Sequence, residues 1–285
     1  MSVALVITAA RGRRMLHEQT LEKLYALRLH GMAHTLQEQM KQPDMANLAF
    51  EERLAMLVDA QWLWKENRAL SVRLKNASLK HRASMENINY RHVRQLDRSQ
   101  MRSLASCQWV QQHQNVLITG PTGIGKSYLC CALLEKACRE GYSAYYAQAH
   151  KLFRQLAVAY VDGSYDKLLS RIAKTDVLAI DDWALVPLAD SERRHLFEVI
   201  EDRHGSRSTV VTSQFPVENW HELIGSPSMA DATIDRIVQG AHRIMLLGET
   251  MRDPEVAAQM QETPELPTKA PKARSARDNK KEVGV

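Results

Sequence analysis

Apolar side chains recur at helical spacing through the first quarter of the chain. Between Met15 and about Lys75, pairs such as Leu21 and Leu24, or Leu36 and Met40, stand three or four residues apart in sequence rich in Leu, Met, Ala, Gln and Glu, which predicts helices. Pro43-Asp44 interrupts the pattern, and Phe50, Leu54, Leu57, Val58, Gln61 and Trp62 then repeat it, so two or more helices should form a small all-helical N-terminal domain over 15–82. After Gln114 the texture changes. Short β-type runs (Val116 to Ile118, Ala144 to Tyr146, Val177 to Ile180, Thr209 to Thr212) alternate with helical stretches, which predicts an α/β domain over 113–253 whose parallel sheet is flanked by helices. Residues 83–112 read as a basic linker between the two. The helical pattern begins only near Met15, so 1–14 is expected to be a disordered leader. Beyond Pro254 the Pro-, Lys-, Arg-, Glu- and Thr-rich composition predicts a disordered tail over 254–285.

Composition narrows the class. With 285 residues, 45% hydrophobic and 25% charged, the chain reads as a soluble, folded protein of about two domains. The early apolar run Val3 to Ile7 is far short of the ~18 residues of a membrane span. Arg11, Arg13 and Arg14 follow it, where a secretory signal places its charge in front. Cys107, Cys130, Cys131 and Cys138 have neither zinc-site spacing nor a disulfide framework, and read as free thiols of a cytoplasmic protein.

The formal charge of +5 gains meaning once located. Lys65 to Arg102 holds ten Lys and Arg against three acids, a local charge of +7, flanked and interleaved by Trp62, Trp64, His81, Tyr90 and His92. One reading is a DNA-binding surface that combines phosphate contacts with stacking, with Arg68, Arg73, Lys75, Lys80 and Arg82 as candidate contacts. The other is a solvated helix face followed by a linker.

Gly120-Pro121-Thr122-Gly123-Ile124-Gly125-Lys126-Ser127 matches G-x-x-x-x-G-K-[ST], between a strand-like run and a helical run from Tyr128 to Arg139. Phosphate oxygens need many donors at close range, and glycines let backbone N–H groups converge on them at a helix N-terminus. Lys126 would reach the β and γ phosphates, Ser127 would offer its hydroxyl to Mg²⁺, and Tyr128 follows in the cradle. A plain glycine turn beside an exposed lysine is the alternative.

Val177 to Ile180 ends in Asp181-Asp182, as expected of a buried strand delivering acids to a sheet's carboxyl edge. Asp181 is the candidate Mg²⁺ holder, and Asp182 the group that orients or deprotonates an attacking water. A helix N-cap gives the same local pattern, and the position about fifty-five residues after the P-loop favours the nucleotide site. Thr212-Ser213-Gln214 could sense the γ-phosphate and aim the water, or simply cap a strand end. Arg236 could be an arginine finger for a neighbouring subunit or an ion-paired surface residue.

GPTGIGKS, VLAIDD, TVVTSQFP, DATIDRI and HRIMLLGETMR, with the N-terminal MLHEQTLEKLYALRLHGMAHTL, together resemble the IstB group of AAA+ ATPases over about Met15 to Arg252. That group is similar to the helicase loader DnaC and more distantly to the initiator DnaA. The resemblance implies an ATP- and Mg²⁺-dependent homo-oligomer, cytoplasmic and nucleoid-associated, that binds double-stranded DNA and stimulates an IstA-type transposase without cutting or joining DNA itself. It puts Walker A on Gly120 to Ser127, Walker B on Asp181 and Asp182, sensor 1 on Thr212 to Gln214 and the finger on Arg236, with Arg243 and Arg252 as weaker candidates for phosphate or subunit contacts. Two departures stand out: Asp182 replaces the commoner Glu, and too few residues follow HRIML for a C-terminal helical lid, so the segment around Ile88 to Leu104 should close the adenine pocket. The alternatives are a DnaC-like helicase loader, a P-loop kinase with a small or nucleic-acid acceptor, and a DNA-bridging protein with a vestigial ATPase.

Overall fold

The computed structural model describes residues 3–183 and 185–251. Three helices open the chain: α1 (Val3–Ala26), α2 (His30–Lys41) and α3 (Phe50–Ala77), with a 3-10 turn at Pro43–Asn47 where the helical pattern broke. The leader expected to be disordered over 1–14 is instead helical from Val3, because its Ala, Leu and Arg residues continue the helix upstream of Met15. α2 lies close against α3. A Cβ on Gly31 would stand 2.5 Å from the Ala60 carbonyl oxygen, and the Gly31 N–H donates to Gln61 Oε1 at 2.9 Å.

Helices α4 (Arg98–Ala105) and α5 (Gln108–Gln111) precede the sheet. Then follow β1 (Val116–Thr119), α6 (Lys126–Arg139), β2 (Ala144–Gln148), α7 (Ala149–Asp162), α8 (Tyr165–Lys174) and β3 (Val177–Trp183). The chain continues with α9 (Asp190–Arg203), β4 (Ser208–Ser213), α10 (Trp220–Ile224), α11 (Pro227–Val238) and β5 (His242–Met245). The five strands pair in parallel in the order β2-β3-β4-β1-β5, with β4 between the P-loop strand and the acidic strand.

Alternate residues of each strand feed two cores. Val116, Ile118, Val177 and Ala179 face one side, under α6, α4 and α5; Leu117, Leu178, Ile180 and Val211 face the other, under α7 to α11. This two-sided burial is why the strands read as continuous apolar runs.

The region 83–112 is not a linker. Ala83, Ile88, Met101, Leu104, Trp109 and Val110 are buried in the first core, and Leu70, Leu74 and Leu79 bring the end of α3 against it. Its apolar residues are spaced out among Lys and Arg, so its charge density concealed a core face. The tail over 254–285 and Arg252 lie outside the described residues.

Candidate functional site

The carboxyl ends of β1, β3 and β4 meet at the loop between β1 and α6. Gly120, Gly123 and Gly125 take φ of 147°, 83° and 97°, which side chains rarely tolerate. Each is also crowded: added Cβ atoms would stand 2.4 Å from Leu246 O, 2.0 Å from Thr250 Oγ1 and 2.5 Å from Arg94 Nη1. Buried Ile124 pins the loop to the first core. The Lys126 ammonium donates to the carbonyls of Gly120 (2.7 Å) and Pro121 (2.9 Å), which keeps its charge inside the loop.

Beneath the loop, Asp181 is fully buried and surrounded by hydroxyls. Ser127 Oγ lies 3.0 and 2.8 Å from its two oxygens, Thr212 Oγ1 donates to Oδ1 at 2.5 Å, and the Tyr146 hydroxyl donates to Oδ2. Burial, and then the Asp181 carboxylate, raise the Tyr146 phenol well above its usual range, so Tyr146 stays a donor. Ser127 and Asp181 present the hard oxygen donors that Mg²⁺ prefers, and the fully buried carboxylate would gain a divalent partner there.

Asp182 reaches the same side through a bulge. From Ile180 to Trp183 the register advances three residues on β3 against two on β4, and Asp182 takes φ 56° with its N–H donated to Thr212 Oγ1 at 3.0 Å. In a regular strand neighbouring side chains point to opposite faces. The extra residue breaks that alternation and brings Asp181 and Asp182 within reach of the one Lys80 ammonium. Thr122 Oγ1 donates to Gln214 Oε1 at 2.7 Å, tying the end of β4 to the P-loop. Tyr128 turns its hydroxyl toward Asn87 O at 3.3 Å.

A sequence profile of IstB-like ATP binding proteins matches residues 22–257. The chain belongs to this family. An insertion sequence ATP-binding protein of Sinorhizobium fredii, y4pL, is 44% identical over 238 residues, 84% of this chain and 97% of the relative. The insertion sequence IS1162 ATP-binding protein of Pseudomonas fluorescens is 45% identical over 203 residues, 71% of this chain and 88% of the relative. Among solved structures, DnaI aligns with a TM-score of 0.49 at 20% identity, covering 58% of this chain and 91% of that one.

In this IstB-like chain the remaining candidates are dispersed. Arg236 sits near the C-terminal end of α11, and its carbonyl accepts from Asn115, which precedes β1, so it lies at the opposite edge of the sheet from its own P-loop. Its guanidinium is paired with Glu201, donates to Ala232 O at 2.9 Å and lies 5.4 Å over the Phe197 ring. Arg243 is exposed on β5.

The five basic residues expected to form one DNA-binding set divide. Arg68, Lys75 and Arg82 are exposed, with Arg68 stacked 5.4 Å over Trp64, and Lys75 and Arg82 lining a cavity of about 630 Å³ with Glu135 and Arg139. Arg73 instead docks α3 on α6, its Nε donating to Cys138 O at 2.8 Å. Lys80 reaches into the candidate nucleotide site, 3.8 Å from Asp181 and 4.0 Å from Asp182. Counting charges along a helix does not reveal which of its faces meets the next element.

Three contributors to the site escaped the sequence reading. Arg94, buried, donates to Ile124 O at 2.8 Å beneath the P-loop. Tyr146 holds Asp181, and Met251 N–H donates to Gly123 O at 3.0 Å, bringing the segment after β5 against the loop. Arg94 carried no signal, since it was one more arginine in a basic run.

Proposed function

We propose that this protein is an ATPase serving an insertion sequence: a homo-oligomer that binds double-stranded DNA, hydrolyses ATP between subunits and stimulates an IstA-type transposase, cytoplasmic and associated with the nucleoid. One observation carries the reading. Ser127, Asp181, Asp182, Thr212 and Gln214, from three separate segments, converge at a glycine loop whose three positive-φ glycines open its backbone. The names of the similar proteins, which tie them to insertion sequences and to ATP, support the client assignment.

In this mechanism the backbone N–H groups of Gly120 to Ser127 and the Lys126 ammonium grip the β and γ phosphates. Ser127 and Asp181 hold Mg²⁺, which supplies charge neutralisation across the phosphates when bound. Asp182, set beside Asp181 by the bulge, accepts the proton of the attacking water, and Gln214 orients that water from just past the end of β4. Asp182 is one methylene shorter than Glu, which suits slow turnover and a long-lived ATP state. Arg236, remote from its own P-loop, acts on a neighbour's γ-phosphate after exchanging its Glu201 pairing. The exposed Arg68, Lys75 and Arg82 contact DNA phosphates without reading sequence, so affinity falls steeply with salt.

The test compares ATP turnover and sedimentation of wild type, Lys126→Ala and Arg236→Ala, with and without duplex DNA. Lys126→Ala should lose ATP binding. Arg236→Ala should bind ATP normally yet turn over on the order of 10³-fold more slowly. An Arg236→Ala protein with unchanged turnover overturns catalysis in trans, and a wild type that ignores both ATP and duplex DNA overturns the reading as a whole.

A further inference from the structure

Lys80 stands where no nucleotide-site motif would place a residue. α3 ends at Ala77, and Ser78 in a left-handed conformation (φ 53°) turns the chain back over α6. The turn is fastened on both sides. Arg73 holds the end of α3 to Cys138 O, the backbone N–H groups of Lys80 and His81 face the Cys131 thiol of α6, and Ala83 is buried in the first core. The Lys80 ammonium is thereby set 3.8 Å from Asp181 Oδ2 and 4.0 Å from Asp182 Oδ2, with 36% of the side chain exposed.

Asp181 has three hydroxyl donors besides, whereas Lys80 is the cation within salt-bridge distance of Asp182 among the described residues. One ammonium thus serves two neighbouring carboxylates. A divalent cation arriving at Ser127 and Asp181 meets a like charge on the same Asp181 oxygen face, and the two positive charges cannot both keep that position without mutual repulsion. Lys80 is the one that can yield, because it is partly exposed at the end of a flexible four-carbon stem.

We propose that Lys80 is a positioning residue that acts as a placeholder cation. It neutralises Asp181 and Asp182 until Mg²⁺ and ATP enter, and its displacement then loosens the turn at 78–84, carrying site occupancy to α3 and to the exposed Lys75 and Arg82 on either side. This rests on the reading of the site as one for Mg²⁺ and ATP. It adds a magnesium threshold and a route out of the site within the same chain.

The experiment uses the full chain as wild type, Lys80→Met, which keeps an apolar stem without charge, and Lys80→Arg. Two quantities are read: the Mg²⁺ concentration that half-saturates binding of a fluorescent non-hydrolysable ATP analogue, and amide hydrogen exchange over 78–84 with and without that analogue and Mg²⁺. Lys80→Met should lower the Mg²⁺ midpoint by about tenfold, a figure scaled to one partly exposed unit charge near 4 Å. In wild type, exchange over 78–84 should rise on adding Mg²⁺ and analogue; in Lys80→Met it should already be fast and stay unchanged. Lys80→Arg should restore both wild-type behaviours.

An unmoved midpoint with unmoved exchange overturns the proposal and leaves Lys80 a bystander. A Lys80→Met protein that loses affinity for the ATP analogue while keeping it for ADP also overturns it, and makes Lys80 a γ-phosphate ligand. If wild type binds no analogue at any Mg²⁺ concentration, the functional reading itself fails, which separates that failure from failure of the placeholder.

Discussion

At each end of the sheet an arginine is buried among main-chain carbonyls, and the two are satisfied to different degrees. At the amino edge, Arg203 donates to the carbonyls of Ile172 (2.6 Å), Thr175 (2.7 Å), Asp176 (3.4 Å) and Ser208 (2.5 Å) and to Thr209 Oγ1 (3.1 Å). At the carboxyl edge, Arg94 donates to Ile124 O (2.8 Å), Asn89 O (3.0 Å) and Met251 Sδ (3.0 Å), and its buried Nε has no hydrogen-bond partner. Burial lowers both guanidinium pKa values, that of Arg203 to about 9. The closed network joins α8, β3, α9 and β4 into a fixed base. The open one lies under the loop proposed to hold phosphate, and an incompletely bonded strut lets such a loop rearrange its donors at less cost than a saturated one.

The largest expected effect tests the closed edge. Arg203→Ala leaves several buried carbonyls without donors and should destabilise the protein by about 3–5 kcal/mol, read as a lowered denaturant midpoint, while the folded fraction binds ATP normally. At the open edge, Asp182→Asn should slow hydrolysis by about a hundredfold or more with ATP binding kept, measured by single-turnover kinetics. Arg94→Met should cost a smaller ~1–3 kcal/mol and, unlike Arg203→Ala, weaken ATP affinity because the Ile124 carbonyl loses its strut. If both arginine variants lose the same stability and neither changes ATP affinity, the distinction between the two edges disappears.

The smallest effect lies at the amino edge again. His242, half-buried against Gln114 Oε1 at 2.8 Å, has its pKa lowered by burial. A base whose folded pKa is depressed binds fewer protons folded than unfolded. The His242 contribution is therefore complete above its ordinary pKa near 6.5 and is lost as pH falls from there through the folded value. Wild type should lose slightly more stability across that window than His242→Gln, and identical pH slopes would refute it.

Much of the geometry of the candidate nucleotide site was legible because its chemistry is local. The glycine positions follow from a loop that needs positive φ, and Lys126 and Ser127 follow from that loop opening a helix. The acids at 181 and 182 follow from an apolar strand reaching the sheet's edge. The fate of the basic run was not legible. Arg68, Arg73, Lys75, Lys80, Arg82 and Arg94 look alike in sequence, yet they are respectively stacked on Trp64, docked on Cys138, exposed, set against two carboxylates, exposed, and buried under the P-loop. The same blindness turned 83–112 into a linker when it covers one sheet face together with α6.

By itself, then, the sequence determined the strands and the helices between them, the glycine loop, the acidic strand end and the family, since each depends on residues near one another along the chain. Only the tertiary structure decided that an extra residue on β3 carries Asp182 to the side of Asp181, that Lys80 closes over both, and that Arg236 sits at the far edge of the sheet. Those outcomes depend on register and on which helix face is buried, and both are set by packing between segments distant in sequence.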